Sequence, residues 1–356
     1  MRFLLTILIT LFSISLLLVT QAFAQTQVYV SVSGEQQIKR LTINDASGKV
    51  IQSDHVAVGG NPGSLVLHPS GQYLYASIRG DGKIAAMQVA KDGSLFLINE
   101  ADVDGDPSYV ATDPTGKYLV SAYYRAGKVI VHSIGKDGSL SAKPTQTIET
   151  DEKAHAVVRD NAGKFVFVPH TGPNAIFQFR WDRTTGKLVP NDPNKLVRTK
   201  PKMGPRHLWF HPKLPIAFGS DEQGSSVTSY DFNAARGLLK TRETLSTLPA
   251  EFKDRNSTSD IEVHPSGKYV YVANRGHDSI AGFSIDDDGD LAHIGNTPTE
   301  KTPRSFNISP DGRYLIAAGQ NSGKLALYKI RDDGSLEHFA TTDIGSKPWW
   351  VLIVQR

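Results

Sequence analysis

Short runs of alternating apolar and polar residues recur along the chain, and each run follows a small polar turn. The run Tyr269-Val270-Tyr271-Val272 comes shortly after the turn His264-Pro265-Ser266-Gly267. Alternation of this kind is typical of a β-strand that buries one face. Related turns occur at six places inside the chain, namely residues 68–71, 113–116, 160–163, 211–214, 264–267 and 309–312. The pattern predicts a repeated β-unit.

A second turn, built around a glycine, follows the same period. One copy reads Asp92-Gly93-Ser94-Leu95, and the seven glycines stand at positions 48, 93, 138, 186, 237, 289 and 334. Their separations of 45 to 52 residues are typical of a propeller blade. No segment keeps a 3.6-residue apolar period long enough for a helical solenoid.

The seventh copy of the first turn is split between the two ends of the chain. Residues 28–32 form the run that follows such a turn, and residues 348–354 form the run that precedes it. A closed ring of blades joins its ends in this way, which protects the sheet edges. The sequence therefore predicts an all-β fold, a seven-bladed β-propeller whose last blade is closed by the N-terminal strands plus the C-terminal strand.

The first 24 residues have the layout of a secretory signal peptide. Arg2 is the only charge before Glu35, residues 3–19 are apolar, and Ala22-Phe23-Ala24 ends the segment. We expect cleavage before Gln25, a single propeller domain over residues 25–356, and a periplasmic or secreted location without a stable membrane anchor. The alternative is an uncleaved anchor, since a run of 17 residues is at the lower limit for spanning a bilayer.

Composition excludes several classes of function. Lys+Arg 39 against Asp+Glu 36 gives a net charge of +3, and no basic block is present, so we expect no nucleic-acid partner. The absence of cysteine excludes disulfides, thiolate metal sites and a cysteine nucleophile. No Gly-x-Ser-x-Gly elbow indicates a serine hydrolase. We expect a monomer without metal or cofactor.

Aligning the repeats on the first turn produces two columns of polar residues at one face of the predicted disc. Neither column contains an aliphatic residue. The first column, eight residues before the turn glycine, contains Gly63, Ser108, His155, Arg206, Ser259, Arg304 and Trp349; the second, eight residues after it, contains Ser33, Arg79, Tyr124, Thr171, Glu222, Arg275 and Gln320. Arginine forks bind carboxylate or phosphate bidentately, so this face suits an anionic small molecule.

Several of these residues lie in segments that resemble the seven-bladed lactonase family. The segments are Gly204-Pro205-Arg206-His207, Asp221-Glu222 and the stretch at residues 272–280. That family includes propeller-type 6-phosphogluconolactonases and, as relatives, fungal 3-carboxy-muconate lactonising enzymes. The resemblance spans the whole mature chain and implies His155, Arg206, Glu222 and Arg275 as the functional set. The family often has Asn-Glu in place of Asp221-Glu222.

Lactone hydrolysis needs a base for water and a donor for the developing oxyanion. Glu222 or His155 is the predicted base, and Arg206 and Arg275 are the predicted contacts of the acidic group and the tetrahedral anion. Further substrate contacts are predicted at Arg79, His207, Arg304 and Gln320. The expected function is an exported carboxylic-ester hydrolase acting on a sugar-acid lactone or a similar anionic lactone. The alternatives are a non-catalytic periplasmic propeller that binds a small anion or a protein, and a lactone-forming cycloisomerase.

Overall fold

The alternating runs form seven antiparallel sheets in the computed structural model, which describes residues 25–44 and 49–355. Each sheet is one blade, and the blades follow one another along the chain. This confirms the predicted seven-bladed β-propeller. The predicted signal peptide, residues 1–24, and most of the first glycine turn, residues 45–48, lie outside the described residues.

The strands are numbered in chain order, and each blade takes four of them except blade 4, which has five. Blade 1 begins with β1 (Gln25–Val32), β2 (Gln37–Asn44) and β3 (Val50–Ala57). Blade 2 contains β4 (Asn61–Leu67), β5 (Tyr73–Arg79), β6 (Lys83–Val89) and β7 (Leu95–Asp102). Blade 3 contains β8 (Pro107–Thr112), β9 (Tyr118–Tyr123), β10 (Lys128–Ile134) and β11 (Leu140–Glu149). Blade 4 contains β12 (Val158–Arg159), β13 (Phe165–His170), β14 (Ala175–Asp182), β15 (Lys187–Pro190) and β16 (Leu196–Arg198).

The remaining strands complete the ring. Blade 5 contains β17 (Pro205–Phe210), β18 (Ile216–Asp221), β19 (Ser226–Asn233) and β20 (Leu238–Ser246). Blade 6 contains β21 (Ser257–Val263), β22 (Tyr269–Arg275), β23 (Ser279–Ile285) and β24 (Leu291–Pro298). Blade 7 contains β25 (Pro303–Ile308), β26 (Tyr314–Gly319), β27 (Lys324–Ile330) and β28 (Leu336–Asp343), and the last strand is β29 (Pro348–Gln355). A 3₁₀ helix, Ser33–Glu35, follows β1, and the described residues contain no helix with the length and apolar character needed to cross a membrane.

Blade 1 closes the ring by pairing the two ends of the described chain. β29 is its inner strand and lies antiparallel to β1, with Val351 opposite Val30 and Ile353 opposite Val28. The predicted closure is therefore confirmed. Because β1 is paired on both sides, neither of its backbone edges is left open to another chain.

The apolar core is divided among the gaps between neighbouring blades. Val28 and Val30 pack with Ile316 of blade 7, whereas Tyr29 of the same strand packs with Leu74 of blade 2. This is the period of 2 expected of a strand that is buried on both faces. The described residues form seven such clusters, one at each junction between blades, so the ring has no junction without a core.

The two turns that revealed the repeat are also what ties adjacent blades together. The Tyr271 hydroxyl donates to the carbonyl of Gly334, the turn glycine of the next blade, at 2.8 Å. At the other turn, His264 Nε2 lies 2.9 Å from the carbonyl oxygen of Gly312 in the next blade. The tyrosine contact recurs between Tyr75 and Gly138, and the histidine contact recurs between His68 and Gly116 and between His211 and Gly267.

Side chains of the inner strands satisfy backbone groups of the next blade. Glu262 Oε2 accepts a hydrogen bond from Ile308 N at 2.9 Å, and Asn307 Oδ1 accepts one from Ile353 N at 2.6 Å. Buried backbone N–H groups are costly when unpaired. These polar side chains therefore allow the inner strands to line a central channel without a further strand covering that edge.

Candidate active site

Arginine side chains meet at one face of the propeller, where inner strands begin and second strands end. Arg206 and Arg304 lie near the start of β17 and β25, whereas Arg79 and Arg275 are the last residues of β5 and β22. Glu222 directly follows β18. The residues come from four blades, and we call this surface the arginine face.

A β-bulge sets the direction of the side chains at the start of β17. The pairing shifts by one position between Pro205 and His207, so Arg206 is the extra residue. A bulge re-aims the side chains around it, and here it brings two successive residues together, with Arg206 Nη1 3.2 Å from His207 Nε2. β25 has the same irregularity, with Arg304 as the extra residue.

Glu222 and Arg275 form an ion pair between blades 5 and 6. Arg275 Nη2 donates to Glu222 Oε1 at 2.7 Å and to the carbonyl oxygen of Thr258 at 2.8 Å. Burial acts to raise the pKa of Glu222, but the charges of Arg206 and Arg275 and the hydrogen bond from Arg275 outweigh it, so its pKa lies below the ordinary value. Glu222 is therefore an ionised carboxylate at neutral pH.

Arg206 is the most deeply buried cation of the face, with 2% of its surface exposed. Nη1 donates to the carbonyl oxygen of Ser259 at 2.6 Å. Burial and the nearby charge of Arg275 lower the pKa of Arg206 to about 10, while Glu222 and Asp260 act in the opposite direction. The guanidinium still carries its charge at neutral pH. Its Nε has no hydrogen-bond partner among the described residues.

His155 precedes β12 and lies between two aromatic rings. Its ring centroid is 5.6 Å from that of Tyr124 and 5.1 Å from that of His207. Burial, together with the positive charge of Arg206, holds the pKa of His155 well below its ordinary value. The imidazole is therefore neutral at neutral pH, and its Nδ1 has no partner within the part of the chain that the structure describes.

Trp349, at the start of β29, separates two of the arginines. The guanidinium carbon of Arg304 lies 3.6 Å from the centroid of the indole, and that of Arg79 lies 5.2 Å from it. An aromatic face attracts a cation. Burial and the charges of Arg206 and Arg275 lower the pKa of Arg304 well below its ordinary value. Among the described residues, no carboxylate forms a hydrogen bond or ion pair with Arg304.

The predicted site residues do not all lie together in the structure. His155, Arg206, His207, Glu222, Arg275 and Arg304 form one cluster. Arg79 lies at its edge, and Asp106 binds its guanidinium through two hydrogen bonds of 3.2 and 3.1 Å. Gln320 instead lines a separate hollow with Asn321 and Lys347. The functional roles of all these residues, Gln320 included, stay predictions.

An aromatic plug fills the channel beneath the arginine face. It consists of Tyr109, His207 and Trp350, whose ring centroids lie 5.4 to 5.8 Å from one another. These residues belong to blades 3, 5 and 1, so their contacts cross the axis of the propeller. Below them, a hollow of about 400 Å³ opens near the turns of the other face.

Sequence reasoning missed the plug and two carboxylates, Asp106 and Asp260. Trp350 and Asp260 each come directly after a residue of the first column, so that position in the repeat is the only signal that the sequence carries for them. Asp106 has no such signal, because it lies in the loop before β8. Within the ranges that the structure describes, no group of three or more His, Asp or Glu side chains is arranged to hold a metal ion.

Comparisons with known proteins agree on one family. Residues 26–353 match the family model of the seven-bladed β-propeller lactonases. A 6-phosphogluconolactonase of Pectobacterium carotovorum subsp. carotovorum is 32% identical over 285 residues, which cover 80% of this chain and 85% of the relative. One of Erwinia tasmaniensis is 33% identical over 282 residues, covering 79% and 84%. The structure of the periplasmic gluconolactonase of Pseudomonas aeruginosa matches with a TM-score of 0.85 and 25% identity, covering 93% of this chain and 99% of that one.

Proposed function

Since this chain belongs to the seven-bladed β-propeller lactonase family, we propose that it hydrolyses a sugar-acid lactone or a similar anionic lactone at the arginine face. The observation that carries the proposal is the ion pair of Glu222 with Arg275, set among the further cations Arg206 and Arg304. The pair offers a base and positive charge within one small volume, which is what ester hydrolysis by water requires.

The balance of charges favours negative charge in the bound molecule. Asp106 neutralises Arg79, and Glu222 neutralises Arg275. Arg304 stacks on the indole of Trp349 and forms no hydrogen bond or ion pair with a carboxylate within the described residues. The site therefore retains an excess of positive charge, suited to the tetrahedral oxyanion, to the carboxylate of the product and to any acidic group on the lactone.

Glu222 is the base in this proposal. Its Oε1 is held by Arg275, which fixes the orientation of the carboxylate. The carboxylate takes a proton from water as the oxygen of that water bonds to the lactone carbonyl carbon. When the ring C–O bond breaks, the same carboxyl returns the proton to the leaving ring oxygen. Arg206 and Arg304 stabilise the carbonyl oxygen while it carries negative charge. His155 is the runner-up base, because its imidazole is neutral.

We also propose that the protein is exported. The N-terminal pattern supports this, and so does the likeness to a gluconolactonase named as periplasmic. For an exported enzyme, a non-phosphorylated lactone is the simpler substrate, because sugar phosphates are kept in the cytosol. A panel that contains both phosphorylated and non-phosphorylated lactones therefore tests substrate class without assuming it.

The experiment measures the hydrolysis of a panel of lactones by pH-stat, and the rate of spontaneous hydrolysis is subtracted. The panel contains glucono-1,5-lactone, which is neutral, and 6-phosphoglucono-1,5-lactone and glucaro-1,4-lactone, which are anionic. The variant Glu222→Gln is compared with Glu337→Gln, which changes an exposed glutamate paired with Arg331 outside the site. Turnover that is lost only in Glu222→Gln supports the proposal. Absence of turnover in the wild type, with retained binding of gluconate, favours the non-catalytic binder, and formation of lactone from an open acid favours the cycloisomerase.

A further inference from the structure

A chain of hydrogen bonds connects Asp260 to Arg206 through His207. Asp260 Oδ1 lies 2.7 Å from His207 Nδ1, and Arg206 Nη1 lies 3.2 Å from His207 Nε2. The three residues come from two neighbouring blades, since Asp260 is in β21 and the other two are in β17. All three are buried, with 2 to 5% of their surface exposed.

The donors and acceptors of this chain determine the protonation of the imidazole. An arginine has only N–H groups to offer, so Arg206 Nη1 must donate to His207 Nε2. His207 Nε2 must then carry a lone pair, and His207 Nδ1 must carry the proton that it donates to Asp260. Burial and the charge of Arg206 lower the pKa of His207, which agrees with a neutral imidazole at this position.

Arg206 needs such support because its surroundings oppose its charge. Burial and the charge of Arg275 both disfavour the guanidinium, whereas Asp260 favours it. Asp260 is further fixed by the backbone N–H of Ile261, which donates to Oδ1 at 3.0 Å. The Asp260 carboxylate is therefore held in one orientation. It orients the imidazole of His207, and the imidazole in turn orients the guanidinium of Arg206 at the arginine face.

We propose that Asp260 and His207 are positioning residues of the lactonase site, which hold the guanidinium of Arg206 in place through the Nδ1–H tautomer of His207. The proposal rests on the proposed function, in which Arg206 contacts the reacting lactone. Neither residue touches the lactone in this scheme. His207 was expected as a substrate contact from the sequence, and this assignment gives it a different role.

The chain offers a matched control on the same strand. Glu262 lies two residues after Asp260 and is equally buried, with 5% of its surface exposed against 4%. Its carboxyl binds Asn307 and the backbone of Ile308, away from Arg206. Burial and the charge of Asp260 raise the pKa of Glu262 well above its ordinary value. Glu262→Gln therefore changes a buried carboxyl of the same strand without touching the chain from Asp260 to Arg206.

We expect Asp260→Asn to lower kcat/KM for the best lactone of the panel roughly tenfold or more, as loss of a supporting partner of a catalytic group does, while Glu262→Gln stays close to wild type. His207→Phe keeps a ring in the plug and removes both nitrogens, so it should reproduce the loss. In an Arg206→Lys background, Asp260→Asn should have a much smaller effect, because the residue that it positions is already changed. Equal effects of Asp260→Asn in the two backgrounds would overturn the proposal.

A second measurement does not depend on lactone turnover. In the ¹⁵N-histidine spectrum of the full chain at pH 7, the resonances lost in His207→Phe should show a neutral imidazole with its proton on Nδ1. A charged imidazole, or a proton on Nε2, would contradict the proposal even if the enzyme hydrolyses lactones well. If the expected tautomer is found but the protein hydrolyses none of the lactones in the panel, the hydrogen-bond chain is supported and the proposed lactonase function is contradicted.

Discussion

Arg275 Nη2 lies 2.7 Å from Glu222 Oε1, although the two residues are 53 positions apart and belong to different blades. Each stands just at or beyond the end of the second strand of its blade. The propeller repeat brings these strand ends to the same face, and the adjacent blades supply one charge each. The ion pair is thus a product of the ring rather than of any local motif.

The first prediction concerns Glu222 as the base. Glu222→Gln keeps the shape of the side chain and removes its proton-accepting charge, so we expect kcat to fall by roughly 10² or more. Because the pKa of Glu222 lies below its ordinary value of 4.5, the wild-type rate should fall to half only at a pH below 4.5. Initial rates by pH-stat check both statements. A loss of rate in His155→Asn with little change in Glu222→Gln would move the base to His155.

The second prediction concerns the Arg304–Trp349 pair and anionic substrates. Arg304→Gln removes a cation that no carboxylate neutralises among the described residues, so KM for an anionic lactone should rise about tenfold, the size of one charge-assisted contact. KM for the neutral glucono-1,5-lactone should change less. Trp349→Leu removes the aromatic face and should shift KM in the same direction by a smaller factor. Arg331→Lys, at an exposed arginine paired with Glu337, is the control. Equal changes for neutral and anionic lactones would remove Arg304 from anion recognition.

Much of the architecture could be predicted from the sequence because it depends on the spacing of the repeats. The seven glycine turns, the split blade 1 and the two columns of polar residues all follow from repeat spacing. The pairing of Asp260 with His207 could not, because it depends on which side chains the bulges turn toward the channel. Gln320 shows the limit of the column argument: it occupies the same repeat position as Arg275, yet it lines a different hollow. Equivalent backbone positions do not determine where a long side chain goes.

The third prediction concerns export. Residues 1–24 precede the first strand, β1, in the sequence, and the blade of β1 is already completed by β29. We therefore expect N-terminal sequencing of the protein purified from its native host to begin at Gln25. Soluble cytosolic protein that begins at Met1 would contradict this. Fractionation of the cells gives the location independently of the cleavage site.

The fourth prediction concerns closure of the ring. Ile353 is 4% exposed and packs between blades 1 and 7, and its backbone N–H binds Asn307 of the neighbouring blade. Ile353→Ala should therefore lower the free energy of unfolding by about 2–5 kcal/mol, as expected for a truncated core residue. Deleting residues 349–356 exposes an edge of β1 and should cause aggregation or unfolding. Urea denaturation and size-exclusion chromatography make the measurements, and a truncated protein as stable as the full chain would refute the closure argument.

The fifth prediction separates backbone strain from contact between blades at the first turn. Gly312 has a φ of +76°, and a Cβ placed there would lie 2.4 Å from His264 Nε2 of the preceding blade. Gly71 occupies the same turn position in blade 2 with a φ of +71°, but a Cβ there would meet no described residue within 4 Å, because the described part of the split blade 1 has no such turn to contact it. Gly71→Ala therefore carries only the cost of a left-handed alanine, about 1–2 kcal/mol. Gly312→Ala carries that cost and also displaces the histidine, so its loss of unfolding free energy in urea should be the larger. Gly295→Ala is the control, because φ is not positive there and a Cβ meets no described residue within 4 Å. Its free energy of unfolding should stay within about 0.5 kcal/mol of the wild-type value or above it. Equal losses for Gly71→Ala and Gly312→Ala would show that the contact from His264 to the next blade contributes nothing to stability.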